Sequence, residues 1–361
     1  MGAGPGRRAL SGPRLSLAGP RIVVHGAGSI GCYVGGAWAA AGLDVTLLGR
    51  ESVRDEIAGN GLTITDSQGG RIALRPDEIR FATRPKALAA ADVIALCVKS
   101  NGTEAAAREI ARHARADAAL ISFQNGVSNV DLLKATLPKL VVLHAMVPFN
   151  VARLGNGRWH KGVAGTLCAE DHEVTRALAE TIGDRPGRLE LSRDMIGIAW
   201  GKLLINLNNA VNALSGKTLV EQLAIRDYRR VVAASQVEAL DLLKAAGIEP
   251  AAVGPIPPRL LPHVIGAPNF LFRHLVKRQR IDASARSSMA DDFAAGRETE
   301  IDYLNGEVVK LARRLGRRAP VNEEIVSLVR QAEAGVERTW SAAELREHVL
   351  GRHRTVPGFG Y

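Results

Sequence analysis

Cysteine, aromatic residues and long apolar runs are all scarce in this sequence. Its three cysteines, Cys32, Cys97 and Cys168, are odd in number, far apart and in no metal-ligand spacing. This argues against a disulfide framework or a zinc site and fits a reducing compartment. No metal and a cytoplasmic location are therefore expected. No run of 18 apolar residues exists, so nothing in the chain reads as a membrane span. Aromatics make up only 4%, leaving few platforms on which bases of single-stranded nucleic acid could stack. Acids are missing altogether from residues 1–20, which carry Arg7, Arg8 and Arg14 among glycines and prolines. That stretch has no apolar h-region, and its prolines oppose an amphipathic targeting helix. It reads as a disordered extension.

The remainder is compositionally globular. Over 361 residues, 46% are hydrophobic, enough to bury real cores and to exclude a disordered or fibrous chain. The length suggests two domains. Lys plus Arg exceed Asp plus Glu by 47 to 37, a formal charge of +10. With no dense Lys/Arg run to bind nucleic acid or a membrane, that excess suits an enzyme whose ligands are small anions.

From residue 21 the pattern alternates strand and helix. Strand-like runs cover 21–25, 44–48, 91–98, 119–123 and 140–147, and helical segments cover 29–41, 103–116 and 129–137. Alternation of this kind means βαβ units around a largely parallel sheet. Residues 62–65 and 71–74 flank Gln68-Gly69-Gly70 and read as an inserted hairpin. After about residue 190 the strands stop, and 194–209, 227–246, 288–295, 302–315 and 322–334 read as helices. Six prolines between 249 and 268 predict an irregular excursion there.

Gly26-Ala27-Gly28-Ser29-Ile30-Gly31 is a G-x-G-x-x-G that directly follows the first strand and opens a helix. The first glycine permits a tight turn, the second lets backbone approach a pyrophosphate, and the third allows close helix–strand packing. The strand–loop–helix context predicts a dinucleotide site. Arg50 follows the second strand, near where NAD-binding proteins carry an acid for the ribose 2′-hydroxyl. An arginine fork there suits the 2′-phosphate of NADP, with Arg54 as an assistant. Against this stand a solvated surface Arg50 and the neighbouring Glu51, an acid that could serve NAD.

The apolar segment 194–209 carries Lys202, Asn206 and Asn209 at offsets of 0, 4 and 7, one face of a helix. Deep polar groups on an apolar helix need partners, so the stripe lines a cleft or a buried network. The plainer reading is a lysine that snorkels to solvent beside capping asparagines. Glu300 lies in Thr299-Glu300-Ile301-Asp302, a capping-box-like start to a helix, where an acid also complements the dipole. Lys99 and Asn125 follow the third and fourth strand runs, at the sheet edge where open α/β folds bind ligands. A strand-end lysine and an Asn-Gly turn are the plainer accounts.

GAGSIG, Lys99 in VKS, QNGV at 124–127, WGKLLINLNNAVNAL at 200–214 and SSMADDFAAGRETEIDYLNG at 287–306 together resemble the ketopantoate reductase (2-dehydropantoate 2-reductase) family. The resemblance runs from residue 21 to about 335, and its last two motifs are the specific ones. It implies NADPH-dependent reduction of ketopantoate to pantoate, on the way to pantothenate and coenzyme A. By matching motif, Lys202 resembles the family's catalytic lysine and Glu300 its second catalytic acid, which also meets the cofactor. Asn206, Asn209 and Ser288 resemble substrate ligands. Lys99 and Asn125 look like polar contacts to cofactor and active site, and Arg50 like the 2′-phosphate ligand. Some relatives carry a second asparagine eight positions after the lysine, where this chain has Ala210 and only the adjacent Asn209 to substitute. Others have Asn where Ala285 stands.

The fold expected is α/β: a Rossmann-like dinucleotide-binding domain over 21–190 followed by an all-helical domain over 191–350. The cofactor expected is NADPH/NADP+, and the partners are a small 2-keto acid and a second copy of the chain in a homodimer. A reductase of another branched 2-keto acid, an opine- or hydroxyacid-dehydrogenase-like enzyme and a non-catalytic NADPH sensor remain as alternatives.

Overall fold

The computed structural model describes residues 19–276, 285–336 and 339–351. Residues 1–18, and with them most of the expected extension, lie outside the described residues. Contacts divide the chain into two units, the first ending at Met195 and the second beginning at Ile196. Both are as expected in class, one α/β and one helical.

In the first unit, strand β1 (Arg21–His25) leads through the glycine loop into α1 (Ser29–Ala40), then β2 (Asp44–Leu48) and α2 (Glu51–Asn60). The hairpin β3 (Leu62–Asp66) and β4 (Arg71–Leu74) follows, then β5 (Arg80–Ala82) and β6 (Val93–Leu96). Helix α3 (Thr103–His113), β7 (Ala119–Ser122), α4 (Asn129–Thr136) and β8 (Val141–Met146) complete the alternation. β5, β2, β1, β6, β7 and β8 form a parallel array in that order, the 3-2-1-4-5-6 order of a doubly wound dinucleotide fold. Its central strands are apolar on both faces because helices cover both sides, and Val93–Leu96 and Ala119–Leu120 are fully buried.

Beyond β8 the strands continue where sequence periodicity gave no signal. β9 (Val151–Gly155) and β10 (Arg158–Lys161) join the hairpin in a second sheet ordered β4-β3-β10-β9. β11 (Leu167–Glu170) runs antiparallel to β8, and after α5 (Glu173–Ile182) β12 (Leu189–Ser192) closes the edge of the main sheet.

Among its described residues the second unit has helices and no strand: α6 (Met195–Asn206), α7 (Asn208–Ser215), α8 (Leu219–Ala224) and the long α9 (Arg226–Ala245) come first. The proline-rich excursion is more regular than its composition predicts. It holds a 3₁₀ turn at Pro258–Leu260 and α10 (Leu261–Gly266), with Pro258 and Pro262 in the first turns, where a missing N–H costs nothing. Buried Arg229 of α9 fastens it, donating to the Ile265 and Ala267 carbonyls at 2.6 and 2.7 Å and lying 4.1 Å from the Phe272 ring. Helices α11 (Asn269–Val276), α12 (Ser288–Ala294), α13 (Asn305–Arg314), α14 (Pro320–Glu333) and α15 (Ala342–Arg346) follow.

Candidate active site

The glycine loop has the geometry its sequence demands. Gly26 sits at φ +107°, a conformation L side chains rarely adopt, and both Gly26 and Ala27 donate to the Leu48 carbonyl at 3.0 Å. A Cβ on Gly31 would lie 2.1 Å from the Gly26 carbonyl oxygen, so the helix can meet the loop only without one. Gly28 differs: its φ is −90° and a Cβ there would meet no protein atom within 4 Å. Open space over Gly28 and an α1 N-terminus with no side-chain cap make a cradle that fits a dinucleotide pyrophosphate. Gly49 supports the loop from β2, because a Cβ there would come within 2.6 Å of the Ala27 Cβ.

Arg50 is exposed immediately before α2, and among the described residues no ion pair involves it. Arg54 is instead held by Asp55, with Nε and Nη2 at 2.9 and 2.8 Å, and lies 3.8 Å from Glu51. The nearby charges therefore pair with one another and leave Arg50 as the cation beyond β2. Lys99 is exposed at the end of the β6 loop, while Asn125 is half-buried in the loop after β7. Their loops are tied together, since the Asn125 carbonyl accepts from Ser100 Oγ at 3.1 Å and from Asn129 Nδ2 at 2.5 Å.

In the second unit the expected single helix 194–209 is interrupted by a turn at Leu207. Lys202 and Asn206 sit on α6 and Asn209 on α7, so the three-residue stripe spans two helices. All three residues are half-buried, whereas Ala210, the position where some relatives carry asparagine, is fully buried. Burial pushes the Lys202 ammonium down to about 8, and the Glu300 charge acts in the opposite direction. Lysine and acid are thus electrostatically coupled within one unit.

Glu300 arrives by a different turn from the one its sequence predicts. The helix begins at Asn305, and residues 301–303 form a 3₁₀ turn, closed from Tyr303 N to the Glu300 carbonyl at 3.0 Å. No capping box forms, because Asp302 pairs with Arg330 and the Thr299 amide donates to Glu333 Oε1 at 2.8 Å. Thr299 Oγ1 accepts from Ile301 N at 3.3 Å. Ser288 is exposed in the first turn of α12, and its buried neighbour Ser287 is the cap, accepting from Ala290 N at 3.2 Å. Ser287 Oγ also donates to the Asn209 carbonyl at 3.1 Å, so the two polar segments expected to bind substrate are joined.

The ketopantoate reductase PanE/ApbA family profile matches residues 22–172, and the C-terminal profile of the same family matches residues 194–333. The chain belongs to the ketopantoate reductase family. A 2-dehydropantoate 2-reductase of Halobacterium salinarum is 30% identical over 327 residues, covering 87% of this chain and 99% of the relative. Among solved structures, a PanE/ApbA family ketopantoate reductase from Ralstonia eutropha superimposes with a TM-score of 0.74 at 27% identity, over 87% and 99% of the two chains. A D-mandelate dehydrogenase with NADH shares the fold at TM-score 0.71 and 18% identity, over 87% and 99%. So does a dimeric ketopantoate reductase from Staphylococcus aureus, at 0.67 and 19%, over the same shares.

Two residues of this reductase-family fold escape the sequence reading. Asn212 is fully buried, donating to the Lys217 carbonyl at 3.0 Å and accepting from Ser287 N at 2.9 Å, so it fixes α12 to α7. Gly201, next to Lys202, is the second. A Cβ there would lie 1.9 Å from the Ala251 carbonyl oxygen, and Ala251 is held to α6 by its own N–H to the Gly197 carbonyl at 2.8 Å. Only a residue without a side chain lets the proline-rich segment cross α6 beside the lysine. Gly201→Ala is expected to cost about 1–3 kcal/mol through overpacking, read as a lower unfolding midpoint in calorimetry. An unchanged midpoint would remove this role for Gly201.

Proposed function

We propose that the protein reduces 2-dehydropantoate to pantoate with NADPH, a step toward pantothenate and coenzyme A. The observation that carries this reading is Lys202: a half-buried lysine on the polar stripe of an otherwise apolar helix, its pKa pushed down to about 8 by burial with the Glu300 charge acting against that shift. An ammonium there stabilises the alkoxide that develops on the ketone oxygen and donates its proton to it. Asn206, Asn209 and Ser288 supply neutral donors for the substrate carboxylate and hydroxyl, and the Glu300 charge raises the Lys202 pKa against burial, keeping the lysine protonated at neutral pH. When bound, the reduced nicotinamide supplies the hydride. Gly26 to Gly31 would hold its pyrophosphate, Arg50 the 2′-phosphate, and Lys99 and Asn125 the neighbouring polar groups. A homodimer is the working unit of this reading, supported by the dimeric family member of the same fold.

The test is oxidation of NADPH by purified protein on addition of ketopantoate, compared through kcat/KM with other branched and aromatic 2-keto acids. Preference for an aromatic keto acid would move the assignment toward the hydroxyacid dehydrogenases that share the fold. NADPH binding without turnover of any keto acid would leave a sensor. Arg50→Ala is expected to weaken NADPH by about tenfold or more while leaving NADH nearly unchanged. Equal losses for both would place the 2′-phosphate elsewhere.

A further inference from the structure

Behind the loops that carry Lys99 and Asn125 lies a closed set of polar side chains. Ser100, Thr103, Ser122, Gln124 and Asn129 are between 0 and 7% exposed. Gln124 Nε2 donates to the Thr103 hydroxyl at 2.7 Å and to the Val98 carbonyl at 3.1 Å, and its Oε1 accepts from Ser122 Oγ at 3.1 Å. The Thr103 hydroxyl lies 2.7 Å from the Ser100 carbonyl and 2.8 Å from Asn129 Oδ1. Asn129 Nδ2 donates to Ser100 Oγ at 3.1 Å and to the Asn125 carbonyl.

Folding alone does not call for this arrangement. Apolar residues of similar shape would join α3 and α4 to the sheet without desolvating five polar groups. What the polar set adds is direction, because each hydrogen bond fixes a particular loop atom. The atoms fixed are the carbonyls of Val98, Ser100 and Asn125, on either side of Lys99 and at Asn125 itself. Val98 is also the wall of the glycine loop, since a Cβ on Gly26 would come within 2.6 Å of the Val98 nitrogen. The set therefore stands at the carboxyl ends of β6 and β7, where open α/β sheets bind their ligands, and touches three parts of the dinucleotide cradle.

We propose that Thr103, Gln124 and Asn129 are positioning residues for the dinucleotide: they hold the Val98 wall and the Lys99 and Asn125 loops at the spacing the cofactor needs. This rests on the dinucleotide reading of the glycine loop. Thr103→Val keeps the shape and removes the hydroxyl, leaving Gln124 Nε2 with the Val98 carbonyl alone and stranding Asn129 Oδ1. Thr103→Ser restores the hydroxyl. Ser100→Ala is a milder second variant: it removes the hydroxyl that bridges Asn125 and Asn129 and keeps their direct hydrogen bond.

The test is titration of each purified protein with NADPH by calorimetry, beside its unfolding midpoint without nucleotide. Thr103→Val is expected to raise the Kd by about tenfold, Ser100→Ala by about threefold, and Thr103→Ser by less than about twofold. Should Thr103→Val not fold, Ser100→Ala and Thr103→Ser carry the comparison. A lowered midpoint with an unchanged Kd in both weakened variants would overturn the proposal, leaving the set as fold support. If the wild-type protein binds neither NADPH nor NADH, the dinucleotide reading itself fails, and this proposal with it.

Discussion

Lys202→Ala is expected to lower the rate of keto-acid reduction by about 10³-fold while NADPH still binds. In the proposed mechanism the substitution removes both the proton donor and the positive charge that meets the developing alkoxide, and every glycine-loop contact stays. Lys202→Arg separates the two roles: it keeps a charge but titrates far too high to release a proton readily, so its rate should fall between the other two. The pH profile gives an independent check. In the proposed mechanism Lys202 is protonated for reduction, and burial places its pKa at about 8. Reductive kcat/KM should therefore be level below that pH and fall by about tenfold per pH unit above it, with the oxidative direction rising instead. Glu300 is the charge that holds the value up against burial. Glu300→Gln should move the descending limb to lower pH. Steady-state rates between pH 6 and 10, covering that pKa on both sides, check all of this. An Ala variant at wild-type rate, or a limb unmoved by Glu300→Gln, would take the proton-donor role from Lys202.

What the sequence revealed follows from where the determining interactions lie. The glycine loop is legible because its three glycines, the strand before and the helix after are contiguous, and the constraint is local backbone geometry. The central strands are legible because burial on both faces makes continuous apolar runs. β5 is three residues of an edge strand, too short to register against turn signals, and β9 is mostly exposed, so no apolar pattern marks it. The turn at 301–303 departs from expectation because Glu333 and Arg330, about 30 positions away, take the groups that a capping box would have used. Gly201 has the same character, since its partner Ala251 is about 50 positions on. Gln124, Thr103 and Asn129 read singly as turn and helix-start residues. Only the fold brings Thr103 within 2.7 Å of Gln124 and 2.8 Å of Asn129.

Gly28 and Gly31 offer the sharpest separation of fold from cofactor in the molecule. Gly31→Ala places a methyl group 2.1 Å from the Gly26 oxygen, 3.0 Å from its carbonyl carbon and 3.3 Å from Cys97 Cβ, all of them parts of a packed strand–loop–helix junction. The two nearest neighbours are backbone atoms and cannot rotate aside, so the apo protein should lose about 1–3 kcal/mol or more of stability. Gly28→Ala meets no protein atom within 4 Å, at a φ of −90° that alanine adopts freely. Its apo stability should stay within about 0.5 kcal/mol of wild type. The methyl group fills the space through which a pyrophosphate reaches the first amides of α1, so NADPH affinity should fall by about 10–100-fold. Calorimetric unfolding with and without NADPH reads both effects, because a ligand that binds only the folded state raises the midpoint in proportion to its affinity. Gly28→Ala should unfold like wild type without nucleotide and gain little on its addition, whereas Gly31→Ala should already unfold earlier without it. A Gly28→Ala protein stabilised by NADPH as much as wild type would mean that no phosphate approaches the loop at that residue.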